Sequence, residues 1–471
     1  MTAEPPPVFA TGPASPDTGL PAAPADRSPS LGARRDEIAS DDSGGEARGP
    51  LAGIRVVDMA TVIAGPGAAR LFGDFGADVI KVEAPRGDSV RRLGWMPPDG
   101  DDDSYFWKLA GRNKRSVVLD LKTPEGLAAM LGLIDGADVL VENLRPGKLE
   151  ALGLAPDVLL ARNPRLVIVR VTAFGQEGPY AQRPGFATLA EALSGYAAIS
   201  GEADGPPLLP PVALTDELTG TLAAFGAMAA LWEARRSGKG QVVDLSLVES
   251  VMHVMGPLPS AFAHLGYEQP RLGAGIPYSV PRGTYQCSDG EWVALSASSD
   301  TVANRVLELV GAGGDERFRT FSDRFENRDA LEALVSGWIA ERPAGEVIRR
   351  FEEADAAIAP VYTMGDLFAD EHFRQRRLFT TVDGVVMQGV SPRLSRTPGN
   401  VNFVGRPLGA DTDEVLAELR ATQARHTGRA ASNDGAGAAT DLDPAVDGQG
   451  SASSSGAVAD AAAKQRESAD E

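Results

Sequence analysis

Apolar and polar residues alternate along residues 53–88 in a pattern that predicts one parallel β-α-β unit. Apolar strands are expected at 54–57 and 78–82, with a helix at 68–75 between them. The Gly-Pro-Gly segment at 65–67 is expected to form the turn that leads into this helix. Such a turn leaves backbone N–H groups free at the helix N-terminus, where they suit a phosphate or a carboxylate. The front of the chain is therefore predicted to bind a nucleotide.

The same alternation of strands and helices continues through the central part of the chain. Further apolar strands are predicted at 116–121, 137–142, 166–172 and 241–247. Helices are predicted at 215–236 and at 123–134, the latter with Thr123 as N-cap and Pro124 in its first turn. Repeated alternation of this kind is typical of an α/β fold with an open, mostly parallel sheet and helices on both faces.

Composition and pattern divide the chain into five segments. Residues 1–50 are predicted to be a disordered N-terminal arm and residues 427–471 a disordered acidic tail, because both are rich in small and polar residues. Residues 51–271 form the predicted large domain. A stretch rich in Gly and Pro then leads into a small α/β domain at 272–374, and residues 375–426 return to the large domain.

The charge, cysteine and histidine content limits the partners that the chain is expected to have. Its 45 Lys and Arg against 65 Asp and Glu leave a net charge of −20, which disfavours nucleic acid or an anionic membrane. The single Cys287 excludes an internal disulfide and favours a reducing cytoplasm. No apolar run approaches the roughly 20 residues that span a bilayer, and no signal peptide is evident. The histidines lack metal-ligand spacing, so no metal site is predicted.

The glycines at 65–67 leave two interpretations open. They lack the full G-x-G-x-x-G signature of a dinucleotide site, although Glu83 lies where a ribose-binding acid would stand. Glycine is equally expected where a helix packs tightly against a strand. NAD binding therefore stays an alternative that has to be decided by the rest of the chain.

Residues 50–417 resemble the class III CoA-transferase family, which includes formyl-CoA:oxalate and carnitine CoA-transferases and α-methylacyl-CoA racemase. The resemblance rests on ordered motifs, which are AGPGAARLFGDFGADVIKVE, GRNKRSVVLDLKTPEG, DVLVENLRPG, RNPRLVIVRVTAFGQEGPY, LTDELTG, RRSGKGQVVDLSLVES and PLGADTDEVL. It implies a Rossmann-like large domain with a smaller α/β domain, and two chains interlocked as a homodimer. It also implies no permanently bound cofactor: a coenzyme A thioester and a carboxylic acid would be the substrates.

The resemblance assigns the catalytic nucleophile of the family to Asp216, within the segment Leu214-Thr215-Asp216-Glu217. In the family mechanism this carboxylate attacks the acyl-CoA thioester, and the reaction passes through a mixed anhydride and an aspartyl-CoA thioester. An Asp that opens a helix is also a common N-terminal cap. The two roles are compatible, because a carboxylate at a helix N-terminus stays ionised.

The resemblance also implies a set of residues that line the CoA site. They are Ile63, Ala64, Leu119, Lys122, Asn143, Leu144, Arg145 and Phe186. Ile63 replaces a polar residue of the formyl-CoA transferases and Ala151 replaces an arginine, so other cations are expected to contact the phosphates. The basic residues expected to be available at nearby loop ends are Arg112, Lys114, Arg115, Arg145 and Lys148.

Position 186 separates the transferases from the racemases. Racemase members have a His base in the triplet that matches residues 185–187, and phenylalanine cannot exchange a proton. Phe186 is therefore expected either to form a wall beside the thioester or to be a core aromatic residue. Glu191 is expected to be an exposed helix residue, and Glu249 to support the pocket indirectly. A transferase is the preferred hypothesis, and an isomerase or racemase with another base, or a non-catalytic CoA-binding homologue, are the alternatives.

Overall fold

The structure is a computed structural model that describes residues 49–98, 100 and 102–434. The predicted N-terminal arm lies outside the described residues except for Gly49 and Pro50. The predicted tail lies outside them beyond Asp434, and the last helix continues past the predicted start of this tail at residue 427.

Strands and helices alternate through the first half of the described chain. The strands are β1 (Arg55–Asp58), β2 (Asp78–Glu83), β3 (Lys114–Val118), β4 (Val139–Glu142), β5 (Val167–Thr172), β6 (Val242–Ser246), β7 (Arg282–Gln286), β8 (Trp292–Ser296), β9 (Ile358–Pro360), β10 (Phe379–Val382) and β11 (Val385–Gln388). The α-helices are α1 (Ala64–Asp74), α2 (Tyr105–Ala110), α3 (Pro124–Asp135), α4 (Lys148–Ala151), α5 (Pro156–Arg162), α6 (Ala187–Leu193), α7 (Tyr196–Ile199), α8 (Leu214–Ser237), α9 (Leu247–Val254), α10 (Leu258–Leu265), α11 (Asp300–Leu309), α12 (Phe321–Glu326), α13 (Arg328–Ala340), α14 (Ala344–Glu353), α15 (Met364–Ala369), α16 (Glu371–Gln375) and α17 (Thr412–Asp434). Short 3₁₀ helices span Ser89–Arg92 and Glu316–Phe318.

The central sheet has parallel strands in the order β3-β2-β1-β4-β5-β6. Val56 of β1 pairs with Val79 on one side and with Val139 on the other, and all three side chains are buried. Apolar strands of this kind are expected where helices cover both faces of a parallel sheet. The strand order reverses between β1 and β4, and α/β proteins bind ligands at the carboxyl ends of the strands beside such a point. The predicted α/β fold with a parallel sheet is confirmed.

The two faces of the central sheet are covered by helices with different side chains. On one face α1 and α8 pack largely through alanine and valine, for example Ala68 and Ala227. On the other face α3, α5 and α17 pack through larger residues such as Leu133, Leu159 and Val415. Because Val415 belongs to the last helix, the end of the described chain contributes to the same core as the first strands.

The helix after β1 begins earlier than the sequence predicts. α1 starts at Ala64, so residues 65–67 form its first turn and not a separate turn before it. Pro66 is tolerated there because the first N–H groups of a helix have no partner within the helix. Gly65 is required by packing, since a Cβ built on it would lie 2.4 Å from the Cβ of Ala60. The predicted turn is therefore wrong.

A second core forms around the antiparallel sheet β7-β8-β9. Val293 and Leu295 of this sheet pack with residues of α11, α13 and α14, such as Val306, Val335 and Phe351. The antiparallel hairpin β10–β11 follows it in the chain. The predicted boundaries of the small domain, at residues 272 and 374, stay a prediction.

Gly220 lies where α8 approaches α1 most closely. A Cβ built on Gly220 would lie 3.0 Å from the carbonyl oxygen of Ala64 and 3.2 Å from the backbone nitrogen of Ala68. Both atoms belong to the backbone of α1, so they cannot move aside as a flexible side chain would. Gly220 therefore sets the distance between the two helices.

We expect Gly220→Ala to lower the free energy of unfolding by about 1–3 kcal/mol, because it overpacks this contact. Alanine has a higher helix propensity than glycine, so propensity alone would stabilise the variant. A loss of stability could then come only from the overpacked contact. Gly337→Ala is the matched control, since Gly337 lies within α13 and a Cβ built there has no neighbour within 4 Å. The control should raise the stability by up to about 1 kcal/mol. Denaturant unfolding checks both values, and a stabilised Gly220→Ala variant would contradict the prediction.

Candidate active site

Asn143 joins the two strand ends between which the strand order reverses. It follows β4 directly, and its side chain bonds twice to the segment after β1. The backbone N–H of Thr61 donates to Asn143 Oδ1 over 2.8 Å, and Asn143 Nδ2 donates to the carbonyl oxygen of Thr61 over 2.7 Å. This predicted site residue therefore lies where α/β proteins bind their ligands.

The loop between β1 and α1 is held in a strained conformation. Val62 has a φ of 70°, in the left-handed region that β-branched residues rarely adopt. Its N–H donates to both carboxylate oxygens of Asp88 over 3.2 Å. Lys81 Nζ donates to Asp88 over 3.3 Å and also to the carbonyl oxygen of Ala60. Backbone strain persists only where surrounding contacts enforce it, and it is concentrated at functional sites.

The N-terminus of α1 is suited to an anion. Ile63 is its N-cap residue and provides no side-chain hydrogen bond. Pro66 has no N–H, and the N–H of Gly67 donates to the carbonyl oxygen of Ile63 over 2.7 Å. The N–H groups before Pro66 are thus left without a side-chain cap, and the positive end of the helix dipole lies beside them. Ile63 and Ala64, two of the predicted CoA residues, form this terminus.

A cleft of about 750 Å³ lies beside the strained loop and is lined by Thr61 and Asp88. Arg86 and Arg92 also line it, and both side chains are exposed. Neither arginine is predicted from the sequence, although their positions soon after β2 offered a signal. Residues that follow a parallel strand lie at its carboxyl end, where a phosphate-bearing ligand would meet them.

The other predicted CoA residues lie at the same edge of the sheet. Leu119 and Lys122 follow β3, whereas Leu144 and Arg145 follow β4. Leu119 is buried, while Lys122 and Arg145 are exposed. Because β2 lies between β3 and β1, Leu119 and Lys122 are about 10 Å, or two strand spacings, from the end of β1 along this edge. Contact of these four residues with CoA stays a prediction.

Three of the cations that were expected to be available for phosphates are engaged elsewhere. The pairs are Arg112–Asp74 at 2.6 Å, Lys114–Asp58 at 2.8 Å and Arg115–Asp78 at 2.8 Å. Arg112 and Lys114 are also buried. Their backbones lie just before or at the start of β3, although Lys114 Nζ reaches Asp58 at the end of β1 and the carbonyl oxygen of Pro66 in α1. The expectation is therefore wrong for these three, whereas Arg145 and Lys148 are exposed.

Asp216 lies in the first turn of α8, whose N-cap residue is Ala213. Because α8 leads into β6, a parallel strand of the sheet, its N-terminus lies at the carboxyl edge, as does that of α1. Gly220, one helical turn after Asp216, packs against Ala64 of α1. The side chain of Asp216 is half-buried, and no hydrogen bond to its carboxylate is found among the described residues. The N-cap alternative for Asp216 is therefore wrong.

Two glutamates surround this carboxylate. Burial raises the pKa of Asp216 to about 6, with contributions from the negative charges of Glu191 and then Glu217. The expectation that Glu191 is exposed is wrong: its exposed fraction is 5%, because α6 packs against α8 and encloses it. Glu191 Oε1 accepts a hydrogen bond from Thr215 Oγ1 over 2.8 Å. A carboxylate of raised pKa is, once ionised, more nucleophilic than an ordinary one.

Phe186 and Glu249 lie at the starts of α6 and α9, two helices that contact α8. Phe186 immediately precedes α6 and is 68% exposed, so the core alternative for this aromatic residue is wrong. Its predicted role as a wall beside the thioester stays a prediction. Glu249 forms a capping box with Ser246 at the start of α9, which accounts for its position.

The sheet has the strand order of dinucleotide-binding proteins, and an uncapped helix N-terminus and a carboxylate of raised pKa lie at its carboxyl edge. This combination is typical of an α/β enzyme with a nucleotide-type substrate. The sequence model of CoA-transferase family III matches residues 51–412. The chain therefore belongs to CoA-transferase family III, and it is a CoA-transferase enzyme. Membership favours CoA over NAD as the ligand of this enzyme.

Characterised relatives cover most of the chain. The beta subunit of succinyl-CoA–L-malate CoA-transferase from Chloroflexus aurantiacus is 39% identical over 79% of this chain and 94% of its own. The alpha subunit from the same organism is 37% identical over 80% of this chain and 90% of its own. Mouse succinyl-CoA:glutarate CoA-transferase is 31% identical over 79% of this chain and 86% of its own.

A solved structure supports the same assignment. A CaiB/BaiF family protein from Brucella suis superposes with a TM-score of 0.71 at 31% identity, over 79% of this chain and all of that one. Within the part of the chain that the structure describes, no helix combines the length and apolar character that a membrane crossing requires. The cytoplasmic location stays a prediction.

Asp216 is expected to destabilise the folded protein at neutral pH. Its folded-state pKa of about 6 exceeds the ordinary value of 3.8. Between these values the folded state binds more protons than the unfolded state, so stability falls as the pH rises through this range. Asp216→Asn should therefore raise the free energy of unfolding near pH 7 by about 1–3 kcal/mol, and the gain should disappear towards pH 4.

Asp366 provides a matched control, because it occupies the same third position of a helix, in α15. Hydrogen bonds from Thr363 lower the pKa of Asp366, which is the opposite shift. Asp366→Asn should therefore decrease the stability near neutral pH. Unfolding of both variants across this pH range checks the signs, and an Asp216→Asn variant no more stable than the wild type near pH 7 would contradict the account.

Proposed function

We propose that this enzyme transfers CoA from an acyl-CoA to a carboxylic acid, with Asp216 as the covalent nucleophile. The observation that carries the proposal is the state of the Asp216 carboxylate. It is half-buried, has a pKa raised to about 6 by burial, and lies in the first turn of α8 at the carboxyl edge of the sheet. Such a carboxylate is ionised at neutral pH, yet hydrogen bonds do not weaken its nucleophilicity.

In the proposed reaction Asp216 takes part in four acyl exchanges. A carboxylate oxygen attacks the thioester carbon, the C–S bond breaks, and CoA leaves as the thiolate. The thiolate then attacks the aspartyl carbon of the mixed anhydride and releases the donor acid, which leaves an aspartyl-CoA thioester. The acceptor carboxylate attacks this thioester, the C–S bond breaks, and a second anhydride forms while CoA leaves again as the thiolate. The thiolate finally attacks the acceptor carbonyl, which yields the new acyl-CoA and frees Asp216.

For CoA we propose the uncapped N-terminus of α1 and the edge of the sheet beside it. The predicted residues Ile63, Ala64 and Asn143 converge on the point where the strand order reverses. Arg86 and Arg92 in the adjacent cleft supply exposed cations for the phosphates, whereas Arg112, Lys114 and Arg115 are held in ion pairs.

We further propose succinyl-CoA as the donor and a dicarboxylic acid as the acceptor. Support comes from the relatives at 37% and 39% identity, which are named for succinyl-CoA and L-malate. The relative named for succinyl-CoA and glutarate adds a second dicarboxylic acid to the same pattern. These names share a donor and differ in the acceptor, so a dicarboxylate is the class of acceptor they support.

Replacement of the nucleophile tests the reaction. The full-length enzyme with succinyl-CoA and L-malate should exchange CoA, and hydroxylamine should convert the acylated Asp216 to a hydroxamate that mass spectrometry locates. Asp216→Ala should lower the exchange rate by at least about 10³-fold, because the covalent intermediates can no longer form. Glu217→Ala is the control: it removes a neighbouring exposed carboxylate, and exchange should continue.

Three other outcomes would contradict the proposal. Exchange that persists in Asp216→Ala would exclude this residue as the nucleophile. Loss of the substrate α-proton to solvent without hydroxamate formation would favour an isomerase or racemase. Binding of CoA with neither reaction would favour a non-catalytic homologue.

A homodimer is the proposed assembly. Phe225 and Trp232 lie seven residues apart on one face of α8 and are 74% and 75% exposed. α10 contains no buried residue within this described chain, and its Leu265 is 80% exposed. Apolar side chains in such numbers mark an interaction surface. A second copy is the proposed occupant, because the family resemblance implies two interlocked chains.

The oligomeric state of surface variants tests this assembly. The wild type should have the mass of a dimer in light scattering, and Phe225→Glu combined with Trp232→Glu should shift it to a monomer or prevent its assembly. Trp95→Glu is the control, because Trp95 is 74% exposed but lies in the segment after the helix at residues 89–92 and belongs to neither α8 nor α10. A wild-type protein that is monomeric at micromolar concentration would contradict the proposal.

A further inference from the structure

Glu191 is a buried carboxylate next to the proposed nucleophile. It lies in α6, and Thr215, which donates to it over 2.8 Å, is the residue directly before Asp216. Thr215 is itself buried in the first turn of α8. The hydrogen bond therefore connects Glu191 to the backbone segment that presents Asp216.

The charge of Glu191 has no cationic partner among the residues that the structure describes. Within the described chain, no Lys, Arg or His nitrogen lies within 4.0 Å of its carboxylate. Burying an unpaired carboxylate costs several kcal/mol. Glutamine would accept the same hydrogen bond from Thr215 without this cost, so the hydrogen bond alone does not explain a charged residue here.

The other charged groups on elements packed against the start of α8 are engaged. Glu217 pairs with Arg70 of α1 over 2.8 Å and is exposed. Two further groups form ion pairs: Asp74 with Arg112, and Arg170 of β5 with Glu142. Two others accept hydrogen bonds: Asp244 of β6 from the backbone N–H of Gln176, and Glu249 of α9 from Ser246. His253 of α9 is an exposed side chain. Glu191 is therefore the buried and unpaired charge beside Asp216.

We propose that Glu191 is a positioning residue that orients Asp216 through Thr215 and favours its acylation by charge repulsion. This inference rests on the proposed role of Asp216 as the nucleophile. Ionised Asp216 is repelled by Glu191. When an oxygen of Asp216 bonds to the thioester carbon and the electron pair of the C–S bond leaves with the CoA sulfur, Asp216 becomes uncharged and the repulsion ends. Each covalent intermediate on Asp216 is uncharged at this position, so Glu191 favours all of them over the free carboxylate.

The pH dependence of acylation follows from the same repulsion. Asp216 must be ionised to attack, so the rate should rise with pH through about 6, the pKa of Asp216. Glu191→Gln keeps the acceptor for Thr215 and removes the charge. The rise should then move to lower pH, and the plateau rate should fall by up to about tenfold for each pKa unit by which the rise moves.

Single-turnover acylation of the full-length enzyme by succinyl-CoA, measured from weakly acidic to weakly basic pH, tests the inference. Three variants are compared with the wild type. Glu191→Gln should move the rise of the rate with pH (the acid limb of the profile) to lower pH and lower the plateau rate. Glu191→Asp should keep the acid limb near its wild-type position. Glu217→Gln should shift the acid limb less than Glu191→Gln does, because Glu217 is exposed and paired with Arg70. Ionisation of succinyl-CoA itself affects all four proteins equally.

Stability separates this role from a merely structural one. Removing an unpaired buried charge should leave the melting temperature of Glu191→Gln unchanged or higher while acylation slows. A lower melting temperature together with an unmoved acid limb would overturn the inference, as would a shift no larger than that of Glu217→Gln. If hydroxylamine traps Asp216 in the wild type, either of these two results overturns only the role of Glu191 and leaves Asp216 as the proposed nucleophile. If the wild type is never trapped at Asp216, the proposed function and this inference are both overturned.

Discussion

The close contact between α1 and α8 is the constraint on which the candidate site depends. α1 begins at the point where the strand order reverses, and α8 carries Asp216 in its first turn. The two backbones approach each other here: a Cβ on Gly67 would lie 3.9 Å from the Cα of Gly220, whereas a Cβ on Gly220 would lie only 3.0 Å from the carbonyl oxygen of Ala64 in α1. Any larger side chain there would separate the proposed CoA site from the proposed nucleophile. The small residues along this contact therefore determine geometry more than they add buried apolar area.

Buried charges hold the loop that precedes α1. Asp58 lies 2.8 Å from Lys114 and 3.8 Å from Lys81, and Lys81 lies 3.3 Å from Asp88. Burial lowers the pKa of Lys114 to about 8, although Asp58 opposes the shift. Buried ion pairs contribute little net stability compared with apolar packing, but the loss of one partner is strongly destabilising. In this protein the buried pair of Lys81 and Asp88 holds the backbone of Val62 in its left-handed conformation, and this fixes the orientation of the N-terminus of α1.

Much of the fold is predictable from short stretches of sequence. Runs such as that at 137–142 must be buried on both faces, and this requirement alone indicates a parallel sheet. The start of α1 is not predictable in this way, because Gly65 is needed by its contact with Ala60 and not by a turn. The motif order likewise identified the family and pointed to Asp216 and Asn143, whereas Arg86 and Arg92 became visible only beside the cleft that they line.

The sequence by itself determined the alternation of strands and helices, the membership of the family and the identity of the candidate nucleophile. Each of these depends on residue types and their order. The tertiary structure decided which charges are free, because ion pairing and desolvation depend on distances between residues far apart in the chain. Arg112 is paired with Asp74, while Glu191 is buried beside Thr215 without a cation in the described chain. No local sequence pattern predicts either fact. The pKa of Asp216 is raised first by burial and then by the charge of Glu191, so it too depends on the tertiary structure.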